Sequence, residues 1–208
     1  MPKPRSGLFV AFEGGEGAGK STQVELLAKA LAEQGFEVVT TFEPGDTEVG
    51  RQLRHILLGH QTGVIDPRTE TLLYAADRAE HVAAVVRPAL ERGAVCITDR
   101  YIDSSIAYQG AGRVLEPDEI EHLSRWASGE LWPDLTIVLD IDPAVGLTRF
   151  DTPADRLEAE PLAFHQRVRE HFLSLATATP DRYLVVDATS SVDAVASAVF
   201  EAVHGRLS

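Results

Sequence analysis

The sequence predicts an α/β fold in which a five-stranded parallel sheet carries helices on both faces and a short lid. Apolar segments of strand length alternate with longer amphipathic segments along the chain. This alternation implies crossover connections, which parallel strands require and which cover both faces of a sheet. Of the 208 residues, 44% are hydrophobic and 25% are charged, as is usual for a globular protein. We therefore predict one domain over residues 1–208, with the lid in the short charged segment 150–160.

Five apolar runs bounded by turn residues predict the strands. The first run ends at two glycines, and the third contains the single cysteine of the chain. Because free cysteines are among the most buried residues, we expect Cys96 to belong to the core. The predicted strands are residues 8–13, 37–42, 94–98, 135–140 and 183–186.

Apolar residues spaced by three or four positions, together with capping residues, predict the helices. Val24, Leu27 and Leu31 lie on one face of the first helix. Pro88 is expected to kink or divide the third helix, because proline lacks the N–H group of a regular turn. Asp142 followed by a proline is a good N-cap pair and predicts a further helix start. The predicted helices are residues 23–34, 48–58, 68–92, 117–128, 161–176 and 192–203.

The charge balance and the cysteine count exclude several classes of protein. The net charge is −13, so no basic surplus is available to neutralise a nucleic-acid backbone. One cysteine permits neither an internal disulfide framework nor a thiolate zinc site. No apolar run reaches the length of a signal-peptide core or a membrane span. We expect a cytoplasmic protein that binds neither nucleic acid nor membrane.

A glycine-rich segment between the first strand and the first helix predicts a phosphate-binding loop. It fits the pattern G-x-x-x-x-G-K-[ST], in which backbone N–H groups and a helix N-terminus surround an anion. Lys20 should reach the β- and γ-phosphates of a nucleoside triphosphate, and the Ser21 hydroxyl should hold Mg²⁺. A glycine-rich turn of purely structural use is the alternative. The predicted loop consists of Gly14, Gly15, Glu16, Gly17, Ala18, Gly19, Lys20, Ser21 and Thr22.

The residues after the third strand favour a kinase over other nucleotide-binding proteins. A guanine-specific switch protein would need an Asn-Lys-x-Asp motif, yet the sequence contains no asparagine. An ATP-driven machine would usually have paired carboxylates at the end of a strand. Instead, Asp99 is followed at once by Arg100. This pair suits a kinase, in which the carboxylate lies near Mg²⁺ and the guanidinium binds an acceptor phosphate through two hydrogen bonds.

Five segments together resemble the thymidylate kinase family. They follow one another in the order of that family, from about residue 8 to the C-terminal helix. The phosphate loop alone is common to very many proteins, but the combination is specific. The segments are the loop at 12–22, E-P-G at 43–45 with Thr47, Y-A-A-D-R at 74–78, D-R-Y with S-S and A-Y-Q-G at 99–110, and D-R-L-E at 155–158.

The resemblance implies a single P-loop nucleoside monophosphate kinase domain that transfers the γ-phosphoryl group of ATP to dTMP. The products would be dTDP and ADP, Mg²⁺ would accompany ATP, and the enzyme would be a homodimer. Two alternatives remain open. One is another P-loop kinase that acts on a deoxynucleoside or a different nucleoside monophosphate, and the other is a nucleotide-dependent switch protein without transferase activity.

The resemblance also assigns an acceptor site to this sequence, residue by residue. Tyr74 would stack on thymine, Arg78 would bond its O4 and Ser105 would contact its N3 edge. Tyr108 would crowd the sugar 2′ position, and Glu16 would approach the 3′-hydroxyl. The simpler alternatives are a core Tyr74 beside a surface Arg78, and a solvated Glu16. The implied dTMP contacts are Glu16, Glu43, Pro44, Arg54, Tyr74, Arg78, Arg100, Ser105, Tyr108 and Gln109, and the implied metal contacts are Ser21 and Asp99.

The turn after the second strand departs from the family pattern Arg-Glu-Pro-Gly-Gly-Thr. Phe42 stands in the position of the arginine, and Asp46 in that of the second glycine. A phosphate contact is therefore lost or moved to Arg51 or Arg54, which can equally form an exposed helix face. The resemblance further predicts a cis Glu43–Pro44 peptide bond.

Elimination, together with the resemblance, assigns the remaining catalytic cation to the lid. Lys20 is the only cation of the phosphate loop, and Arg100 is committed to the acceptor phosphate. Arg149 or Arg156 would then offset the charge that phosphoryl transfer spreads over the equatorial oxygens. Pairing with flanking aspartates such as Asp155 in an open state would instead make these arginines merely structural.

Overall fold

The computed structural model describes residues 7–112, 115–149 and 155–207, and it confirms the predicted five-stranded parallel sheet. The strands are β1 Phe9–Glu13, β2 Val38–Phe42, β3 Val95–Asp99, β4 Leu135–Asp140 and β5 Tyr183–Asp187. Their order is β2-β3-β1-β4-β5, and every neighbouring pair is parallel. Asp99 lies opposite Phe12 on one side and Phe42 on the other. The carboxyl ends of β1, β2 and β3 therefore meet at one edge of the sheet.

Helices are present in all the predicted regions, with boundaries that differ by a few residues. Asp142 caps its helix as predicted, since its side chain accepts a hydrogen bond from the Ala144 N–H at 2.8 Å. No helix within the described ranges is long and apolar enough to cross a membrane. The helices there are α1 Lys20–Glu33, α2 Glu48–Leu58, α3 Pro67–His81, α4 Arg87–Glu91, α5 Ile102–Ser105, α6 Pro117–Ser128, α7 Pro143–Gly146, α8 Leu162–Ala178 and α9 Val192–Leu207.

The predicted helix 68–92 is divided, as the proline in it led us to expect. A π-helical turn, Val82–Val86, separates α3 from α4, and Pro88 lies in the first turn of α4. The backbone stays helical through both junctions, and the Arg87 N–H donates to the carbonyl oxygen of Val82, five residues earlier. The wider π-helical turn thus lies directly before Pro88, which has no N–H group of its own to donate.

The helical segment between residues 102 and 112 was not predicted. It begins as α5 and continues as a π-helix, Ile106–Gly112. Two adjacent serines, two isoleucines and two glycines give this stretch a low intrinsic helix propensity. Its inner side is apolar: Ile102, Ile106 and Ala107 are buried, so tertiary packing stabilises it.

The core lies on both faces of the sheet, because successive strand residues point in opposite directions. Val10 and Phe12 pack with α1 and α9 on one face. Phe9 and Ala11 pack with α4, α5 and α6 on the other face. Cys96 belongs to this second layer and is fully buried, which confirms the prediction of a core cysteine. Burial raises the pKa of its thiol to about 12, so it is no nucleophile at neutral pH.

Candidate active site

A cleft of about 1020 Å³ opens at the carboxyl edge of the sheet. Its walls come from the segments that follow β1, β2, β3 and β5, which is where ligands bind in open α/β sheets. All the predicted site residues fall in the described part of the chain. Every one of them lines this cleft except Gly14, Gly15, Arg51 and Arg156.

The phosphate loop has the predicted context, directly after β1 and directly before α1. Gly14 has a φ of 132°, and a Cβ atom there would lie 2.4 Å from the Leu139 carbonyl oxygen. Gly17 has a φ of 69°, and its Cβ atom would lie 2.1 Å from a carbonyl oxygen of α7. The Lys20 Nζ donates to the carbonyl oxygens of Gly14 at 3.1 Å and Gly15 at 2.9 Å. The buried Lys20 ammonium thus lies over a loop whose close packing requires glycine at positions 14 and 17.

Ser21 and Asp99 come together as the sequence predicted. The Ser21 hydroxyl donates a hydrogen bond to Asp99 Oδ2 at 2.8 Å, and both residues line the cleft. A hydroxyl and a carboxylate are hard oxygen ligands, and Mg²⁺ in nucleotide sites takes few protein ligands beside phosphate oxygens and water. These two side chains therefore fit a magnesium ion that arrives with a nucleotide. Within the described ranges, no cluster of three or more His, Cys, Asp or Glu side chains offers a further metal site.

Glu16, Arg100 and Tyr108 form a hydrogen-bonded cluster on the cleft wall. Arg100 Nη2 donates to the two carboxylate oxygens of Glu16 at 2.8 and 2.9 Å, and the Tyr108 hydroxyl donates to Oε1 at 2.7 Å. Although burial opposes it, the charges of Arg100 and Lys20 and the Tyr108 hydrogen bond lower the pKa of Glu16 to about 2. Glu16 is therefore an ion at neutral pH and not a solvated surface charge.

A buried carboxylate that sequence reasoning missed supports the backbone at Arg100. Arg100 has a φ of 70°, a left-handed conformation that residues other than glycine seldom adopt. Glu13 is fully buried and accepts hydrogen bonds from the N–H groups of Tyr101 at 2.9 Å and Ser104 at 3.0 Å, just after this turn. Burial and the charge of Asp103 raise the pKa of Glu13 to about 8. An acidic residue in an otherwise apolar strand is the signal that marks Glu13 in the sequence.

Arg78 lies at the opposite end of the cleft and is only 1% exposed. Its Nε and Nη2 donate to Glu43 Oε2 at 3.0 and 2.8 Å, and Nη2 also lies 3.1 Å from the Ser105 Oγ. Tyr74, one turn earlier on α3, is buried beside it and lines the same cleft. The alternative of a surface arginine on an amphipathic helix is therefore wrong.

Gln109 and Arg156 bind the same buried carboxylate. The Gln109 Nε2 donates to Glu70 Oε1 at 2.9 Å, and Arg156 Nη2 forms an ion pair with Glu70 Oε2. Arg156 Nε also donates to the Leu57 carbonyl oxygen at 2.7 Å. The guanidinium of Arg156 thus pairs with Glu70 rather than with Asp155, and it lies outside the cleft lining.

Arg149, the other arginine considered for the lid, lies beside the phosphate loop. Its Nη1 donates to the Gly17 carbonyl oxygen at 3.0 Å, and its Nη2 donates to the Ala188 carbonyl oxygen at 3.4 Å. Residues 150–154 of the predicted lid lie outside the described residues. The rest of the lid, 155–160, is a turn in which the Asp155 side chain accepts from two backbone N–H groups.

The turn after β2 contains the predicted cis Glu43–Pro44 peptide bond. Arg54 lines the cleft, donates to the Pro44 carbonyl oxygen at 2.7 Å and places its guanidinium carbon 5.6 Å from the centre of the Phe42 ring. Arg51 is exposed and forms an ion pair with Glu48 on the surface of α2. The arginine nearest to the substituted position is therefore Arg54.

Sequence reasoning also missed the cleft wall beyond the phosphate loop. Ala188, Ser190, Val192 and Val195 line the cleft there, and Gln23 Nε2 donates to the Val192 carbonyl oxygen at 3.1 Å. Small aliphatic and hydroxyl residues at the end of a strand carry no distinctive spacing. Only the folded sheet brings this segment next to the loop after β1.

Comparisons with known proteins agree with this geometry. The family model described as "Thymidylate kinase" matches residues 12–199. A thymidylate kinase of Clavibacter sepedonicus is 56% identical over 202 residues, covering 96% of this chain and 95% of that protein. A thymidylate kinase of Leifsonia xyli is 54% identical over 210 residues, covering 100% and 99%. The crystal structure of thymidylate kinase from Ehrlichia chaffeensis superposes with a TM-score of 0.79 at 31% identity, over 97% of this chain and 100% of that one. Because the matched residues include both ends of the cleft, the chain belongs to the thymidylate kinase family.

Proposed function

We propose that the cleft holds ATP at the phosphate loop and dTMP between Arg100 and Arg78. As a thymidylate kinase, the protein transfers the γ-phosphoryl group of ATP to dTMP and yields dTDP and ADP, a step toward dTTP. The observation that carries the proposal is that the phosphate loop and the buried Tyr74–Arg78 face of α3 open onto one cleft. We further propose that residues 1–208 form one kinase domain and that residues 150–160 close over the donor.

At the donor end, backbone N–H groups of the phosphate loop and Lys20 would bind the triphosphate of ATP. Ser21 and Asp99, whose side chains are hydrogen-bonded to each other, would hold Mg²⁺. When bound, this ion neutralises charge on the β- and γ-phosphates. The Ser21 oxygen keeps its lone pairs while it donates this hydrogen bond, so both side chains could act as ligands with the 2.8 Å contact intact.

At the acceptor phosphate, the chemistry needs position and charge rather than a base. A phosphate oxygen of dTMP is already ionised at neutral pH, so no proton has to be removed before attack. Arg100 would bind this phosphate, and Glu16 holds the Arg100 guanidinium through two oxygens. Arg54 would supply the second cation at the position where Phe42 replaces the arginine of the family. Two guanidinium groups beside the acceptor phosphate can fix it in line with the donor and offset its charge.

At the base, Arg78 and Ser105 would read the Watson–Crick edge of thymine while Tyr74 packs on its face. Arg78 can only donate hydrogen bonds, and thymine O4 can only accept them. Cytosine presents an amino group at the same place, so two donors would face each other. Sites that lose such a bond discriminate by roughly 10⁴-fold when polar groups stay unpaired.

A coupled assay of ADP release across a panel of nucleoside monophosphates tests the proposal. We expect the kcat/KM for dTMP to exceed that for dCMP and for every purine monophosphate. Lys20→Ala should abolish turnover with every acceptor, whereas Lys29→Ala, at an exposed lysine of α1, should leave it unchanged. Equal kcat/KM values for dTMP and dCMP would refute the base assignment. With deoxynucleosides added to the panel, preference for one of them would favour another P-loop kinase, and slow turnover with every acceptor would favour a switch protein.

We also propose that the enzyme is a homodimer. Leu72 on α3 and Trp126 on α6 are 57% and 76% exposed, and these two helices pack side by side. Large apolar side chains on adjacent helices suit a contact between copies. Trp126→Glu should shift sedimentation equilibrium toward a monomer, and the matched variant Leu162→Glu, on α8, should not. A wild-type protein that stays monomeric at high concentration would exclude the homodimer.

We propose a cytoplasmic location as well, because the reaction consumes ATP and supplies a DNA precursor.

A further inference from the structure

His81, the last residue of α3, lies in a chain of hydrogen bonds behind the acceptor site. It is 1% exposed, and its Nδ1 lies 2.8 Å from Glu43 Oε1. Its Nε2 lies 2.6 Å from the Thr41 Oγ1, and the same Thr41 oxygen lies 2.5 Å from Asp46 Oδ2. Glu43 binds Arg78 through its other oxygen. The chain therefore runs from Asp46, on the cleft wall, to the Arg78 guanidinium, which faces the base in the function proposed above.

The hydrogen atoms in this chain can be counted. Glu43 accepts two hydrogen bonds from Arg78, whose charge, together with the His81 contact, lowers its pKa although burial opposes the shift. An ionised carboxylate only accepts, so His81 Nδ1 carries a hydrogen. Thr41 has one hydroxyl hydrogen, which it donates to Asp46 Oδ2. The Thr41 oxygen then offers a lone pair to His81, so Nε2 carries a hydrogen too.

We propose that His81 is a doubly protonated positioning residue that connects Asp46 to Glu43 and thereby fixes Arg78 against the acceptor base. His81 does not line the cleft and acts only through Glu43 and Thr41. This role also explains why a carboxylate occupies the family's second glycine position. Asp46 supplies the anion that keeps the Thr41 hydroxyl turned away from the imidazole.

The charges around His81 favour the doubly protonated form. With it, the two cations His81 and Arg78 balance the two carboxylates Glu43 and Asp46. A neutral imidazole would leave one excess negative charge among side chains of which only Asp46 is not buried, and an unbalanced charge there is costly. Asp77 also faces the cluster: it accepts from the Gly45 N–H at 3.1 Å, and burial and Glu43 raise its pKa to about 7. Its partial charge adds to the demand for a cation.

The direct test is the protonation state of His81 in the intact enzyme. Protein labelled with ¹⁵N-histidine is measured by long-range ¹H–¹⁵N correlation at pH 7, and the His81 signals are assigned with His81→Gln. We expect both ring nitrogens to carry hydrogens. In Asp46→Asn, the amide N–H donates to Thr41, whose hydroxyl then donates to Nε2, so His81 should become neutral with its hydrogen on Nδ1. The matched variant Asp118→Asn, at an exposed position of α6, should leave the spectrum unchanged.

A neutral His81 in the wild type would overturn the proposal, since the shared hydrogen would then belong to Asp46. A His81 that stays doubly protonated in Asp46→Asn would also overturn the proposal.

Kinetics provide a readout that a purely structural histidine would not move. Loss of one charge-assisted hydrogen bond to Glu43 in His81→Gln should raise the KM for dTMP roughly tenfold or more, and the KM for ATP should stay within about twofold. Asp46→Asn keeps the hydrogen bond from His81 Nδ1 to Glu43, so we expect a smaller, several-fold rise in the KM for dTMP and no rise in the KM for ATP. If His81→Gln fails to fold, Asp46→Asn still decides the question. Unchanged KM values for dTMP in the folded variants, or parallel changes for both substrates, would refute positioning of the acceptor.

Discussion

Arg149→Ala should damage catalysis far more than it damages the fold. Arg149 donates to two backbone carbonyl oxygens, Gly17 at 3.0 Å and Ala188 at 3.4 Å, and its side chain is exposed. A hydrogen bond of this kind contributes about 1 kcal/mol, so the variant should lose about 1–2 kcal/mol of unfolding free energy. An arginine that stabilises phosphoryl transfer contributes about 10³–10⁵ in rate, which corresponds to about 4–7 kcal/mol. The kinetic effect should therefore exceed the stability effect.

Arg206 provides a matched control for this variant. It is exposed on α9 and donates to two backbone carbonyl oxygens, Asp134 at 3.0 Å and Asp181 at 2.6 Å, but it does not line the cleft. Arg206→Ala should thus lose a similar unfolding free energy and keep its kcat. Both variants are measured by urea unfolding and by the coupled assay at saturating ATP and dTMP.

Arg156→Ala should lower the unfolding free energy far more than it lowers kcat, the reverse of Arg149→Ala. Arg156 is 13% exposed and pairs with Glu70, which is fully buried. Removing one partner of a buried pair costs about 3–5 kcal/mol, and the Gln109 bond to the same carboxylate places the cost near the lower limit. If Arg156→Ala loses 10³-fold in kcat while Arg149→Ala keeps it, the lid arginine is Arg156. If both variants and the double variant keep normal kcat, the cation comes from elsewhere.

Three further results follow from the site. Folding raises the pKa of Glu13 from 4.5 to about 8, so the unfolding free energy of the wild type should fall relative to that of Glu13→Gln as pH rises through this range. A difference in unfolding free energy that stays constant with pH would contradict this. Folding lowers the pKa of Glu16 from 4.5 to about 2, so the stability advantage of the wild type over Glu16→Gln, measured by urea unfolding, should vanish as pH falls through this range. A stability advantage that persists at pH 2 would refute the ion pair. Phe42→Leu should raise the KM for dTMP roughly two- to fivefold, because an exposed cation–π contact with Arg54 contributes about 0.5–1 kcal/mol; an unchanged KM would show that Phe42 does not position Arg54.

The fold was predictable because its elements carry local signals. Buried parallel strands are continuous apolar runs, and glycine and proline mark their ends. The phosphate loop was predictable for the same reason, since its function depends on backbone conformations that Gly14 and Gly17 permit. The segment 102–112 was not, because its helical form depends on burial of Ile102 and Ile106 against the sheet rather than on propensity.

The supporting side chains were harder to predict than those that line the cleft. His81 and Thr41 are 40 residues apart in the sequence, yet His81 Nε2 lies 2.6 Å from Thr41 Oγ1 in the structure. No periodic pattern relates a histidine at the end of a helix to a threonine in a strand. Arg149 and Arg156 were equivalent in the sequence. The difference between them arises from their partners, two backbone carbonyl oxygens for Arg149 and a buried carboxylate for Arg156.

Glu13 and Glu16 show why chemistry has to be assigned from surroundings. They are three residues apart, at the end of β1 and in the loop that follows, and both contribute to the position of Arg100. Glu13 receives hydrogen bonds mainly from neutral groups in a fully buried pocket, so burial raises its pKa to about 8. Glu16 receives a guanidinium, and its pKa falls to about 2. The first can keep a proton and support the backbone, while the second stays charged and orients the Arg100 guanidinium. One strand end thus supplies both the scaffold of Arg100 and its counter-ion, which holds in place the guanidinium that we propose binds the acceptor phosphate.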